Sequence, residues 1–357
     1  MLELDAEHRD FGRSFAGVLS ALDGGDVLVA AGAHGMLGMQ VAEEYGGGGI
    51  DDPRFVAVAL SELAGEGRIG EATSYAAHAG LALPFLQRCA PDQLRAALLP
   101  DLVEGARIAT VVLGDVTATT DDGQFLSGTV TGVVNGATAR LLVVAYSGDR
   151  GPAVAFVAAD HPGISRTVED AVALAGSRSA TVSFDRVPVD SGLTVAGEAA
   201  AQLLAEHRLW NAWIAVRATA TVLEWTLEYV RARHVFGTSV ASFENTRLVL
   251  AGVEADRRVA AAAVESLVAG LVSGGLDLDG AAAASHVAVE MFVRAADQGL
   301  QLHGGYGYMR EYPISTAFAD ANLLQLRADA TGPLDVLAGA LGLDPDEVSG
   351  GRSRESA

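Results

Sequence analysis

The chain has no lysine: all 24 of its basic residues are arginine, set against 45 acidic ones, for a formal net charge of −21. That shortage of positive charge argues against nucleic-acid binding, because phosphate backbones are held by clustered cations and an acidic surface repels them. The arginine bias, with abundant Ala, Gly and Val, points to a GC-rich coding source rather than to a functional choice. Cysteine is almost as scarce. Cys89 stands alone, which excludes an intrachain disulfide and a cysteine metal cluster, and a reducing cytoplasm is the simplest setting. The eight histidines include no pair at i, i+4 beside a carboxylate, so no metal site is expected. Long apolar runs are missing too, since Gly, His or Asp breaks each one well short of a membrane span. The opening "MLELDAEHRD" is acidic where a targeting segment would be basic. The expectation is a soluble, cytoplasmic protein with neither membrane nor nucleic acid as partner.

What is present is a large apolar fraction: half of the 357 residues are hydrophobic, enough for about two domains each with its own core. Residues 1–110 have helical texture. In "DPRFVAVALSELAGEG", Phe55, Val58 or Ala59, and Leu63 fall on one stripe at helical spacing, and "EEYGGGGIDDP" and "CAPDQ" mark breaks. Residues 111–197 change to short β-branched and alternating runs ("RIATVVLGDV", "QFLSGTVTGVV", "ARLLVVAYS", "PAVAFVAAD", "SATVSFDRVPV"), the first beginning near Arg107. Asp122-Gly123 and Asn135-Gly136 between them read as hairpin turns. These runs predict an antiparallel β-barrel or sandwich of roughly 85 to 90 residues, an ordinary size for such a unit. From 198 to 343 the helical period returns. Ile214, Ala218, Val222, Trp225 and Tyr229 share one face, "ARHVFGTSVASF" interrupts, and further helices are predicted at about 243–273, 278–301 and 313–329, which makes a four-helix bundle. The polar stretch 344–357 reads as a disordered tail.

This α, β, four-helix order, with "EEYGGGGI" (Glu43–Ile50), "LRAALLPDLVEGARIA" (Leu94–Ala109), "RHVFGTSVASFENTRLVLA" (Arg233–Ala251) and "QLHGGYGYMREYP" (Gln301–Pro313), resembles the flavin-dependent acyl-CoA dehydrogenase family over almost the whole chain. The last two segments are the most specific. The resemblance implies α,β-desaturation of an acyl-CoA thioester: a glutamate takes the proton beside the carbonyl, and flavin on the other face of the substrate accepts a hydride. It also implies FAD bound across a dimer interface, one subunit wrapping the ring and its neighbour's helical domain holding the adenosine and pyrophosphate.

The neighbour-facing half is intact. Arg233 offers a planar fork to phosphate oxygens, Phe236-Gly237 provides a sharp exit from the helix, and Gly304 and Gly305 let backbone approach a pyrophosphate. Gln301, Leu302, His303 and the Phe243-Glu244 pair fall on family positions at the nucleotide, Glu244 standing where Gln is usual. Taken alone, "HGGYGY" reads as a helix-ending turn; Arg233 and the family context favour nucleotide contact. A Rossmann fingerprint is excluded, because helix rather than strand precedes the glycines. The side chain of His303 is expected to cap local backbone groups, Tyr306 and Tyr308 to pack at the turn or line a pocket, and Trp210, Trp213 and Trp225 to serve core or interface.

The flavin-facing half is not intact. "VVLGDVTATTDDG" lacks the family's Thr-Glu-Pro and Gly-Ser-Asp pattern, and "GTVTGVVNG" puts Gly132 where a tryptophan belongs and Val134 where a threonine belongs. Counting from the glycine motif, Ala328 occupies the usual place of the catalytic glutamate. His207 occupies the place of the base that some relatives carry before an arginine matching Arg208, and Ala319 replaces a common arginine before Asp320. Glu206 lies about 100° around the helix from that site. Loss of a general base costs on the order of 10²- to 10⁴-fold. The resemblance therefore points to the base-lacking subunit of a heteromeric, two-plus-two acyl-CoA dehydrogenase. Such actinobacterial tetramers act in many cases on steroid side-chain CoA thioesters. FAD would be shared with a homologous partner that bears the glutamate and binds most of the substrate, and an electron-transfer acceptor would complete the reaction. Two alternatives stand beside it: a homomeric flavoenzyme of this fold using Glu206, His207 or Asp329 as base or running monooxygenase chemistry, and a cofactor-free scaffold.

Overall fold

A computed structural model describes residues 2–119, 124–149, 151–190 and 193–343; Asp122-Gly123 and the 344–357 segment lie outside them. The first helices are α1 (Ala6–Ala21), α2 (Val27–Ala33), α3 (Arg54–Gly65), α4 (Ile69–Tyr75), α5 (Leu83–Cys89) and α6 (Asp92–Val103). Their starts are chemically legible: Asp5 accepts from His8 N and Asp26 from Leu28 N, each satisfying a first-turn donor. Phe55, Val58, Ala59 and Leu63 are all buried, as the α3 stripe requires. Between α4 and α5 the helix widens into a π-type stretch, Ala76–Ala82, a feature that recurs beside functional sites. His78 within it is fully enclosed. Its Nε2 lies 3.0 Å from Leu102 O, and its Nδ1 accepts from Ala109 N at 3.1 Å, which ties α6 to the first strand.

The strands are β1 (Ala109–Val112), β2 (Val116–Thr119), β3 (Phe125–Val133), β4 (Leu141–Gly148), β5 (Gly151–Ala158), β6 (Ile164–Val168), β7 (Ala180–Pro188) and β8 (Thr194–Ala196). Among the described residues they form one sheet of order β6-β7-β3-β2-β4-β5-β8, with β1 also on β4. Two expectations are corrected here. The sheet is mixed, because β1 and β2 both run parallel to β4. Asn135-Gly136 closes no hairpin, because β3 pairs with β2 and β7 rather than with β4. Asn135 does take a positive φ (58°), but its side chain is buried and bonded to Ser74, whose Oγ donates to Asn135 Oδ1 at 2.5 Å while Asn135 Nδ2 donates to Ser74 O at 2.9 Å.

Period-2 alternation splits β4 and β5 between two cores. Leu142, Val144, Tyr146, Ala153, Ala155 and Val157 enter the sheet's own core, and Leu141, Val143, Val154 and Phe156 enter the helical core. The sheet is thereby welded to the helices on one face.

The remaining elements are α7 (Glu198–Ala232), β9 (His234–Val235), β10 (Thr238–Ser239), α8 (Glu244–Val272), α9 (Leu278–His303), α10 (Pro313–Asp329) and a short α11 (Pro333–Ala340). The long α7 is the spine. Trp210 Nε1 donates to Gly80 O, Trp213 Nε1 to Ala57 O and Thr221 Oγ1 to Ala64 O, which fixes α7 to α3 and the π stretch. Phe236-Gly237 is not the helix exit that was expected. The helix ends at Ala232, and these two residues, at φ 51° and 83°, form the tip of the β9–β10 hairpin, the positive-φ pair a two-residue turn demands.

Candidate functional site

Two cavities collect the residues at issue. The first, about 490 Å³, is an open cleft where the C-terminal ends of α7 and α9 meet. It brings together Arg233, Gln301, Leu302, His303, Gly304 and Gly305. Gly304 ends α9 at φ 58°, and a Cβ added to Gly304 or Gly305 would meet nothing within 4 Å, so the backbone here is approachable. Arg233 is exposed, has its guanidinium carbon 6.0 Å from the Tyr306 ring centre, and has no carboxylate partner among the described residues. A guanidinium beside bare glycine backbone suits a phosphate group.

His303 contributes structure to this cleft. Its Nδ1 donates to Gly299 O at 2.7 Å, its ring stacks on Tyr229 at 4.1 Å, and its carbonyl accepts the Tyr229 hydroxyl at 3.1 Å. Burial pushes its pKa down, so the ring is neutral and locks the turn. Four sequence-predicted residues stand off the cleft. Phe236 sits at the hairpin tip, 98% exposed, beside Gly237, and Phe243 stands at the start of α8 ahead of the exposed Glu244.

The second cavity, about 460 Å³, lies between the π stretch, the end of β3, α7 and the end of α10. His207 lines it. The residue is partly buried in the cavity wall, and desolvation there, with Arg208 adjacent, pushes its pKa down to about 4. The imidazole is therefore neutral near pH 7. Asn211 Nδ2 lies 3.5 Å from it, the long limit of a hydrogen bond. Arg208 points elsewhere, donating to the carbonyls of Thr331 and Gly332 and so holding the turn after α10.

α10 walls this cavity with Leu323, Leu324, Leu326 and Arg327, Ala330 and Thr331 following, whereas Ala328 is 1% exposed in the helical core and off the wall. Asp329 is exposed and off the wall too. Glu206 lines a different cavity, of about 300 Å³, where Arg88 Nη2 binds both of its carboxylate oxygens at 2.9 Å. The carboxylates that do reach the second cavity are Asp115 and Glu169. Glu169 was missed in the sequence. It accepts the Gly132 N–H at 2.6 Å and lies 3.6 Å from Arg327 Nη2, which also donates to Ser179 Oγ at 2.8 Å. An arginine on the inward stripe of α10, between Leu324 and Ala328, was the available signal. Among the described residues no group of three or more His, Cys, Asp and Glu is placed to hold a metal ion, and no helix is long and apolar enough to cross a membrane.

Comparison with known proteins finds two models of one family: "Acyl-CoA dehydrogenase, N-terminal domain" over residues 21–106 and "Acyl-CoA dehydrogenase, C-terminal domain" over residues 191–332. The mitochondrial long-chain specific acyl-CoA dehydrogenase of Rattus norvegicus is 26% identical over 318 residues, covering 82% of this chain and 73% of its own length. Among solved structures, the butyryl-CoA dehydrogenase of Megasphaera elsdenii aligns with TM-score 0.81 at 22% identity, over 96% of this chain and 99% of that one. A chain of the ChsE4-ChsE5 complex from Mycobacterium tuberculosis aligns with TM-score 0.83 at 24% identity, over 96% and 99%. These two likenesses show the fold.

Proposed function

Because the chain belongs to the acyl-CoA dehydrogenase family in both its N- and C-terminal domains, we propose that it is the base-lacking subunit of a heteromeric FAD-dependent acyl-CoA dehydrogenase. It lends the nucleotide half of a flavin site to a homologous partner. The observation that carries the reading is a contrast between two cavities: the cleft at Arg233, Gly304 and Gly305 is open and cationic, while the cavity at Gly132 and His207 has no carboxylate at either expected base position.

The fit of FAD differs between the two. In the cleft, Arg233 and the backbone of Gly304 and Gly305 suit the pyrophosphate, and Gln301 stands beside them. In the other cavity a flavin ring does not fit the residues present: the Gly132 N–H is already taken by Glu169, and Arg327 covers the strand face where the family carries tryptophan. Bound in the composite site, the flavin supplies hydride acceptance. This chain positions the dinucleotide, and the partner supplies the proton acceptor and most of the thioester pocket. Steroid side-chain CoA esters are the proposed substrates, an electron-transferring protein the proposed acceptor, and the cytoplasm the proposed setting. The ChsE4-ChsE5 complex, a two-component relative of this fold, is compatible with the arrangement.

The test is co-expression with the homologous partner. The complex is expected to carry one FAD per two chains and this chain alone to be colourless. Arg233→Ala in the complex is expected to weaken FAD retention about 10- to 100-fold, the effect of losing a charge-assisted phosphate contact worth roughly 1.5–3 kcal/mol. Unchanged flavin content would favour the cofactor-free scaffold.

One observation favours a second reading. His207 is neutral and faces this cavity, as the base of a homomeric flavoenzyme would. Stoichiometric flavin on the single gene product, with thioester oxidation abolished by His207→Ala, would establish that enzyme and overturn the subunit assignment.

A further inference from the structure

We infer that Arg327 and Glu169 form an internal plug that holds this chain's own ring cavity closed to flavin. The inference rests on the subunit reading above and goes beyond it, because it makes the exclusion of flavin an enforced property of the fold rather than a loss of contacts.

The end of β3 is built around Arg327. Gly132 has φ 69°, a conformation that favours glycine, and the β3–β7 register shifts between Val130 and Val133. A Cβ at Gly132 would lie 3.1 Å from Arg327 Nε, 3.5 Å from its Cγ and 3.7 Å from its Cδ. The arginine stem therefore lies along the bare strand face, and a side chain at 132 would have to push it aside by a few tenths of an ångström as well as adopt a left-handed φ. Glu169 completes the closure: Oε1 accepts the Gly132 N–H at 2.6 Å and the Thr181 hydroxyl at 3.2 Å, and Oε2 faces Arg327 Nη2 at 3.6 Å. The backbone donor and the stacking surface at this point are both consumed internally.

The closure is also costly, which argues against a simple core contact. Arg327 has a side chain 12% exposed, and its Nε and Nη1 are buried with no acceptor among the described residues. A buried guanidinium with two unmet nitrogens is worse for stability than an apolar residue of the same volume. The segment bearing Glu169 is latched a second time on the same helix, two turns earlier: Asp320 accepts the Leu174 N–H at 2.5 Å.

The test uses lumiflavin, the isoalloxazine ring without the nucleotide, so that the Arg233 cleft plays no part. Equilibrium dialysis is run on the full chain and on its complex, comparing wild type with Arg327→Ala and Glu169→Ala, each checked for folding by near-UV circular dichroism. Wild type is expected to show no saturable binding in this cavity, and at least one folded variant to bind at least about tenfold more tightly. Saturable binding by wild type to match the variants, or folded variants that gain nothing, would overturn the plug. The FAD count of the wild-type complex is read separately. One FAD per two chains with no gain in either variant sinks the plug alone, and stoichiometric FAD on the single chain sinks both proposals.

Discussion

Arg88 Nη2 lies 2.9 Å from both carboxylate oxygens of Glu206, and Gln202 Nε2 reaches the same carboxylate at 3.0 Å. The Glu206 side chain is only 3% exposed and faces a cavity other than the one His207 lines. A carboxylate so occupied, one helical step away from His207, is held as a structural ion pair. Glu206→Gln is expected to leave thioester oxidation by the complex unchanged and to cost about 1–2 kcal/mol in urea unfolding, since Arg88 keeps some access to water. A fall in kcat on the order of 10²-fold or more would instead mark Glu206 as a base.

The parts of the molecule legible in the sequence were those governed by local chemistry. The α3 stripe from Phe55 to Leu63 and the α7 face from Ile214 to Val222 are buried because 3.6-residue periodicity leaves them one side to hide on. Arg233 and Gly304-Gly305 reach one cleft because two long helices end side by side, a placement supplied by the family resemblance rather than by the residues alone. Asn135 misled because tolerance of positive φ serves buried turns as well as hairpins, and only its bond to Ser74 tells them apart. The parallel pairing of β1 and β2 with β4, and the meeting of Glu169 with Arg327, depend on contacts between segments remote in the chain. Local patterns carry no trace of such contacts.

His207 gives the cavity a pH signature of definite sign. Burial, with the Arg208 charge beside it, depresses its pKa from 6.5 to about 4, so the unfolded chain takes up this proton first. Stability from this site is therefore lost as pH falls from about 6.5 to about 4, by at most roughly 3 kcal/mol at 1.36 kcal/mol per unit. His207→Gln is expected to flatten the acid limb of a stability profile across that window, measured by the urea midpoint at successive pH values. A limb as steep as wild type would show that the imidazole is not the group responsible.

Asp320 opposes it. Burial raises its pKa from 3.8 to about 6, only partly countered by the Leu174 N–H. A raised carboxyl contributes stability that is present below pH 3.8 and lost as pH rises through about 6. Asp320→Asn keeps an oxygen for Leu174 and removes the buried charge. The stability of wild type relative to this variant is expected to decline between pH 4 and 6 and to level off above, whatever constant cost the unpaired amide adds. A difference that stays flat with pH would mean the carboxyl titrates normally.

Gly70 is the place where backbone, rather than side chain, holds the Glu169 segment against the helices. A Cβ there would stand 2.1 Å from Ala175 O and 2.3 Å from both the carbonyl carbon and oxygen of Leu174, atoms that cannot rotate aside, and Leu174 itself sits at φ 52° and hangs from Asp320. Gly70→Ala is expected to push this loop off α4 and to cost on the order of 1–3 kcal/mol or more, the range for overpacking against a rigid neighbour. Gly65 ends α3 with nothing within 4 Å of an added Cβ, so Gly65→Ala serves as the control, expected to be neutral or stabilising by about 0.4–1 kcal/mol through the unfolded chain. The loop carries Glu169, so the first substitution is also expected to loosen the plug, and lumiflavin uptake should rise in Gly70→Ala but not in Gly65→Ala. If both variants unfold at the wild-type urea midpoint, the contact at Gly70 does not constrain the loop, and the route from α4 to the cavity is broken.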